Sequence, residues 1–220
     1  MIFQLLFSNP LIAFLWLAAI VFSLTVHEFG HAAMAHARGD GTAAWSGRLT
    51  LNPMAHLDPW GFLLLLLVGF GWAKPVPFDP RRLRHPLRDG ALIGLAGPGT
   101  NALVLLLLAL FVRVLGLDSS LLNSTALGIF LVFLAFSNAG LMIFNLIPVP
   151  PLDGSNLLHS VLTSPLGLRV RFWWERVGPQ FLLGLVFISL LTPWSPFGFI
   201  GSAAERVVAL VFGVDVGVFR

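Results

Sequence analysis

His27, Glu28 and His31 stand in the pattern His-Glu-x-x-His, after an apolar stretch with no charged side chain from Met1 to Val26. Two imidazoles four positions apart are separated by ~40° around an α-helix, so both point the same way. Such a pair can take two corners of a tetrahedral zinc site, and the glutamate beside it can act as a general base toward water. Burying a carboxylate and two imidazoles in hydrocarbon is costly, and ionisable residues in that setting mark function. The chemistry these residues could do is metal-assisted hydrolysis inside a membrane.

A third protein ligand is needed, and the chain has only ten acidic residues. Asp40, Asp58, Asp79, Asp89, Asp118, Glu175, Glu205 and Asp215 fall in polar or turn contexts. Asp153 differs, because it follows an apolar helix in the run Asn145-Leu-Ile-Pro-Val-Pro-Pro-Leu-Asp153-Gly154. Non-helical chain at membrane depth is tolerated where it is buried in protein or lines a wet cavity, which is where an active-site carboxylate would be held. Alone, Asp153-Gly154 reads as a turn. Beside the imidazole pair it completes a His, His, carboxylate set with one position open, the arrangement of a catalytic zinc.

The elements that must position these residues are membrane elements. Of 220 residues, 57% are hydrophobic and 10% charged, against about 25% charged in a soluble domain. Asn9-Pro10 has the form of an N-cap with proline at the first helical position, opening a helix to about Ala37. Thr42 to Asn52 is partly β-branched and bounded by Gly41 and Pro53, which predicts one or two strands or a hairpin. Gly61 to Trp72 is apolar but only ~18 Å long as a helix, too short for a ~30 Å hydrocarbon core. Gly90–Val112 and about Thr125–Leu146 are of spanning length; the prolines of Ile147–Gly154 end the second. A short helix over Ser155–Leu162, a basic loop, an apolar helix over Val177–Leu191 and an apolar segment over Pro196–Phe212 follow. The predicted fold is all-α and polytopic, with about four to six transmembrane helices, a short re-entrant segment and a small membrane-proximal β-hairpin or sheet. A single domain over 1–220 is expected, its catalytic core at about 10–160 and its C-terminal helices at about 166–220. No basic region precedes the first apolar run, so a cleavable signal peptide is not expected.

His27-Glu28-Phe29-Gly30-His31 followed by Asn145–Gly154 resembles the site-2 protease family of intramembrane zinc metalloproteases. Leu51-Asn52-Pro53, His56-Leu57-Asp58-Pro59, Gly71-Trp72-Ala73-Lys74-Pro75-Val76-Pro77 and Ala96-Gly97-Pro98-Gly99-Thr100-Asn101 also match, in family order. The resemblance implies zinc as cofactor, His27, His31 and Asp153 as its ligands, and Glu28 as base. It implies Asn145 as a polar stabiliser near the reacting carbonyl. It also implies a strand near the site able to pair with an unwound substrate, for which Thr42, Leu49 and Leu51 mark the candidate. The length fits the minimal subgroup without PDZ or CBS domains. The implied activity is cleavage in or near transmembrane segments of membrane-protein substrates within the bilayer.

Topology follows from the metal. If Asp153 is to meet the His pair, the helix ending near Leu146 must end on the same side as the first, so Gly61–Trp72 must enter and return or lie shallow. That side then carries ten of the 13 basic residues, Arg38, Arg48, Lys74, Arg81, Arg82, Arg84, Arg88, Arg169, Arg171 and Arg176. By the positive-inside rule it is cytoplasmic, with the N-terminus outside, in a bacterial or archaeal membrane. The Arg81-Arg82-Leu83-Arg84 cluster reads as topological rather than nucleic-acid binding, and Trp173 and Trp174 as interface anchors. His36 lies about half a turn from His27 and reads as an interface residue; His56 and Asn101 read as structural polar groups. The oligomeric state is left open. The competing class is a metal transporter or catalytically silent scaffold. A transporter path would need ionisable groups on several helices, and Gly90–Val112 and Thr125–Leu146 hold none.

Overall fold

The computed structural model describes residues 2–213, and its regular elements are helices. A short α1 (Ile2–Ser8) leads into α2 (Pro10–Ala37), where Pro10 takes the first helical position and Asn9 Oδ1 accepts from the Ile12 N–H at 3.3 Å. Then come α3 (Thr42–Trp45), α4 (Pro59–Val68), α5 (Pro86–Val114), α6 (Ser119–Ser124), α7 (Ala126–Asn145), α8 (Gly154–Val161), α9 (Pro165–Leu191) and α10 (Gly198–Phe212). Four of these, α2, α5, α7 and α9, are long and apolar enough to cross a membrane. Their outward faces carry exposed Phe14, Leu103, Leu106, Leu110 and Phe187, surface that suits lipid rather than water.

The core lies where α2, α5, α7 and α10 meet, around Ala19, Leu105, Leu108, Val132, Ala135, Ala139, Ala204 and Val208. Its alanines are the small residues that let helices approach closely where lipid removes the hydrophobic drive. At one end of the bundle, Arg38 just past α2 donates to Asp89 at 2.7 Å, and the His85 N–H donates to the same carboxylate at 2.8 Å. This clasp holds the end of α2 beside the start of α5, so the intervening chain leaves and returns at one level.

That chain contains no hairpin. Thr42–Trp45 is helical, and the bridge Leu57↔Ala73 is the β-pairing found among the described residues. The cause is local. The Asp40 carboxylate captures the backbone N–H and hydroxyl of Thr42, which winds the chain into a turn. Arg48 is then buried, donating to the carbonyl of Lys74 at 3.0 Å. β-Branched character over so short a stretch yields to these contacts. Leu49 and Leu51 are exposed and unpaired with any strand.

Within 61–72, α4 has ten residues, capped by Asp58 and stopped by Gly69 in the left-handed region. Gly61 lies so close to the Trp72 backbone that no side chain would fit. The helix and its return stretch therefore pack on each other, and the chain is back beside its starting point at Leu57–Ala73. Near the C-terminus, α9 begins at Pro165, capped by Ser164, and runs through the basic stretch predicted as loop. Arg171 and Glu175 pair one turn apart at 2.8 Å and support it.

Candidate metal centre

His27, Glu28 and His31 lie in the second half of α2, all buried. Asp153 arrives on the turn between α7 and α8. Gly154 allows that turn, because a Cβ there would meet the carbonyl of Leu146. The turn is braced from α9, where Trp174 Nε1 donates to the Pro148 carbonyl at 2.8 Å and Gly178 lies against Pro150. Trp174 thus gives its indole N–H to the protein's own backbone, while Trp173 is exposed as an anchor would be.

The structure brings His27, His31 and Asp153 together. His27 Nε2 lies 3.1 Å from Asp153 Oδ2, His31 Nε2 lies 3.3 Å from it, and the two Nε2 atoms are 3.1 Å apart. Ligands ~2.0–2.1 Å from a tetrahedral ion are separated by about 3.3–3.4 Å, so the triangle has the size of one face of a zinc site. The protons also fit. His31 Nδ1 faces the carbonyl of Ile93 at 2.7 Å, an acceptor only, so Nδ1 carries a hydrogen and Nε2 is the nitrogen available to a metal in the neutral ring. Asp153 Oδ2 is buried without a hydrogen-bond partner. Three ligand atoms at this range must share either a ring proton or a cation seated between them, and the neutral rings with the carboxylate suit the cation.

Second-layer contacts complete the cradle. His27 Nδ1 faces Asn101 Oδ1 at 2.6 Å. Gly97 on α5 packs directly against both imidazoles, and Gly94 against the backbone of Asp153. The sequence places Asn101 in a family-matching stretch and reads it as a structural amide, and nothing local links it to His27. The Ile93 carbonyl has no sequence signal at all. Glu28 lies in the electrostatic neighbourhood of His27, His31, Asp153 and His56. Asn145, at the end of α7, donates to the Leu141 carbonyl of its own helix at 3.0 Å. Thr42 is engaged with Asp40, and Leu49 and Leu51 sit on exposed loop.

Five of the other acids sort as structural groups, and Asp215 lies outside the described residues. Asp58, Asp79 and Asp118 cap helices, and Asp89 forms the clasp. Burial raises the Asp40 carboxyl, but donation from Thr42 and the Asp79 N–H outweighs it and holds Asp40 below the usual carboxylate range. His159 is pulled down by burial and by Arg171 nearby.

Membrane-length helices around a His, His, carboxylate trio with a buried glutamate define a membrane protein built to hold a hydrolytic metal centre. The model of peptidase family M50 matches residues 114–185. YwhC of Bacillus subtilis, whose name gives it provisionally as a zinc metalloprotease, is 41% identical over 156 residues, 69% of this chain and 70% of that protein. Rip2 of Mycobacterium tuberculosis, named in the same terms, is 33% identical over 185 residues, 81% of this chain and 68% of that protein. Rip2 of Mycolicibacterium smegmatis is 32% identical over 151 residues, 65% and 55% of the two. No solved structure matches. The chain belongs to peptidase family M50, the site-2 protease family, and is by that membership an integral membrane metalloprotease.

Proposed function

We propose that this chain is an intramembrane zinc endopeptidase that hydrolyses peptide bonds in or near transmembrane segments of membrane-protein substrates. The observation that carries the reading is the triangle of acceptor atoms from His27, His31 and Asp153, which matches one face of a tetrahedral zinc site.

Peptide hydrolysis needs water, which hydrocarbon lacks. Bound zinc supplies a Lewis acid that lowers the pKa of water to about 7 and polarises the scissile carbonyl. Glu28 takes the proton from the attacking water and delivers it to the leaving amine nitrogen. Asn145, a neutral amide, donates to the oxygen on which negative charge develops, adding no further charge to a buried site. A substrate helix has all its backbone groups paired, so it must unwind locally before attack, more readily where it holds glycine, proline or polar residues.

The clasp end of the bundle carries most of the Lys and Arg, which favours the cytoplasmic side for it and for the metal centre, with the N-terminus outside. α4 and its return stretch dip into the bilayer from that side. Purified in detergent, the protein is expected to cleave a tagged transmembrane substrate, and Glu28→Gln to abolish cleavage with zinc still bound. Cleavage that persists in Glu28→Gln removes Glu28 from the mechanism.

A further inference from the structure

His27 has two ring nitrogens, and only a bare Nε2 can hold a cation beside His31 and Asp153. Which nitrogen is bare is decided on the far side of the ring, where Nδ1 faces Asn101 Oδ1 at 2.6 Å in a fully buried contact. An amide can present either its oxygen or its NH₂ there, so the choice passes to whatever orients Asn101.

The buried contacts leave one answer. Asn138 Nδ2 faces the Leu134 carbonyl at 2.8 Å, an acceptor only, so that arm must be the NH₂. The same nitrogen donates to Ser23 Oγ at 2.8 Å, whose own proton goes to the Ala19 carbonyl at 2.7 Å. Asn138 therefore turns its oxygen to Asn101, which donates to it at 2.8 Å and to the Ser23 carbonyl at 3.3 Å. With its NH₂ committed, Asn101 has only its oxygen left for His27. His27 Nδ1 must then carry the hydrogen, and in the neutral ring Nε2 is the bare nitrogen facing Asp153.

We propose that Asn101, oriented by Asn138, is a positioning residue that sets His27 in the metal-binding tautomer. The relay crosses three helices, α2, α5 and α7, so the readiness of the centre depends on their mutual seating. Metal-bound histidines lean on a carboxylate, a carbonyl or water. An amide oxygen does this without adding a third carboxyl group to a site that already holds Glu28 and Asp153. The inference rests on the metal-centre reading above, yet the tautomer can be observed without metal.

Buried amides also glue membrane helices together, so the test must separate that role. Asn101→Asp and Asn101→Leu both lose the NH₂ donor, but only Asn101→Leu loses the acceptor facing His27. Zinc affinity, read by chelator competition on the full chain, should stay at or above wild type in Asn101→Asp and fall 10–100-fold in Asn101→Leu. Asn138→Leu removes the shorter of the two acceptors that hold the Asn101 NH₂ and leaves the 3.3 Å contact to the Ser23 carbonyl. Nitrogen NMR of the labelled histidines, recorded where the rings are neutral, should show His27 as a single Nδ1–H tautomer in metal-free wild type and a detectable share of Nε2–H in Asn138→Leu. If Asn101→Leu does not fold, that tautomer measurement decides alone. Equal losses in Asn101→Asp and Asn101→Leu, or an unchanged His27 tautomer in Asn138→Leu, overturn the inference. A wild type that shows the Nδ1–H tautomer but takes up no zinc overturns the metal-centre reading instead.

Discussion

Replacing Gly97 by alanine is the sharpest test of the cradle. A methyl at that position would lie 2.6 Å from His31 Cε1 and 2.7 Å from His27 Cε1, and closer still to His31 Nε2. Carbon contacts settle at ~3.5 Å or more, so the rings must retreat by about 0.8 Å. They have little room to do so, because Nδ1 of each is held on its far side at 2.6 and 2.7 Å. A metal constellation tolerates displacements of only about 0.5 Å. Zinc affinity should therefore fall ~10–100-fold, about 1.4–2.8 kcal/mol, with loss of cleavage alongside. Gly99, two positions along the same helix, is exposed with nothing near its virtual Cβ. Gly99→Ala should leave zinc binding untouched and stabilise α5 by roughly 0.5–1 kcal/mol. The assay is metal content per protein and chelator competition on both variants beside wild type. Gly97→Ala with a wild-type zinc affinity would mean that the imidazoles are not packed against Gly97 of α5 and that this glycine does not hold them in place.

Other outcomes follow from the same contacts. Glu28→Gln should lower the cleavage rate by at least ~10²–10⁴-fold with zinc stoichiometry unchanged, measured on one preparation by peptide release and metal analysis. Removing metal with a chelator should abolish cleavage, and zinc should restore it, while Asp153→Ala should not be rescued at the same zinc concentration. Asp40 is held below its ordinary range, so its contribution is complete above the unfolded carboxylate pKa of ~4 and is lost as pH falls through the folded value. Asp40→Asn should accordingly destabilise the fold by about 1–3 kcal/mol at pH 7 and flatten the acid limb of a thermal-unfolding pH series. Trp174→Phe removes the donor to Pro148 and should cost about 1 kcal/mol of stability with some loss of zinc affinity, read by thermal unfolding with and without zinc.

Much of the fold was legible because a bilayer constrains sequence so strongly. The cap at Asn9-Pro10, the spans at α5 and α7 and the proline-forced break after α7 follow from hydrophobic length and missing donors. Prediction failed where local polarity competed with propensity. β-Branched residues after Asp40 suggested a hairpin, but that carboxylate takes the first N–H groups, and Arg48 anchors the loop to the carbonyl of Lys74. The basic stretch before Val177 was expected to be loop, yet α9 runs through it. Pro165 starts a capped helix there, and the Arg171–Glu175 pair stabilises it. Trp174 looked like a membrane anchor because a tryptophan near a basic loop has that signature, and its acceptor lies 26 positions away.

Sequence alone determined the imidazole pair, since the helix period places His27 and His31 on one side whatever surrounds them. It also singled out Asp153, because few acids lie beside broken chain at the end of a spanning helix. Tertiary structure decided everything that turns those groups into a metal-ready centre: the Ile93 carbonyl, the Asn101–Asn138–Ser23 relay and the Gly97 contact. Each joins atoms on different helices, His27 and Asn101 being 74 positions apart. No local rule of period or propensity links such partners; only the seating of α2, α5 and α7 against one another does.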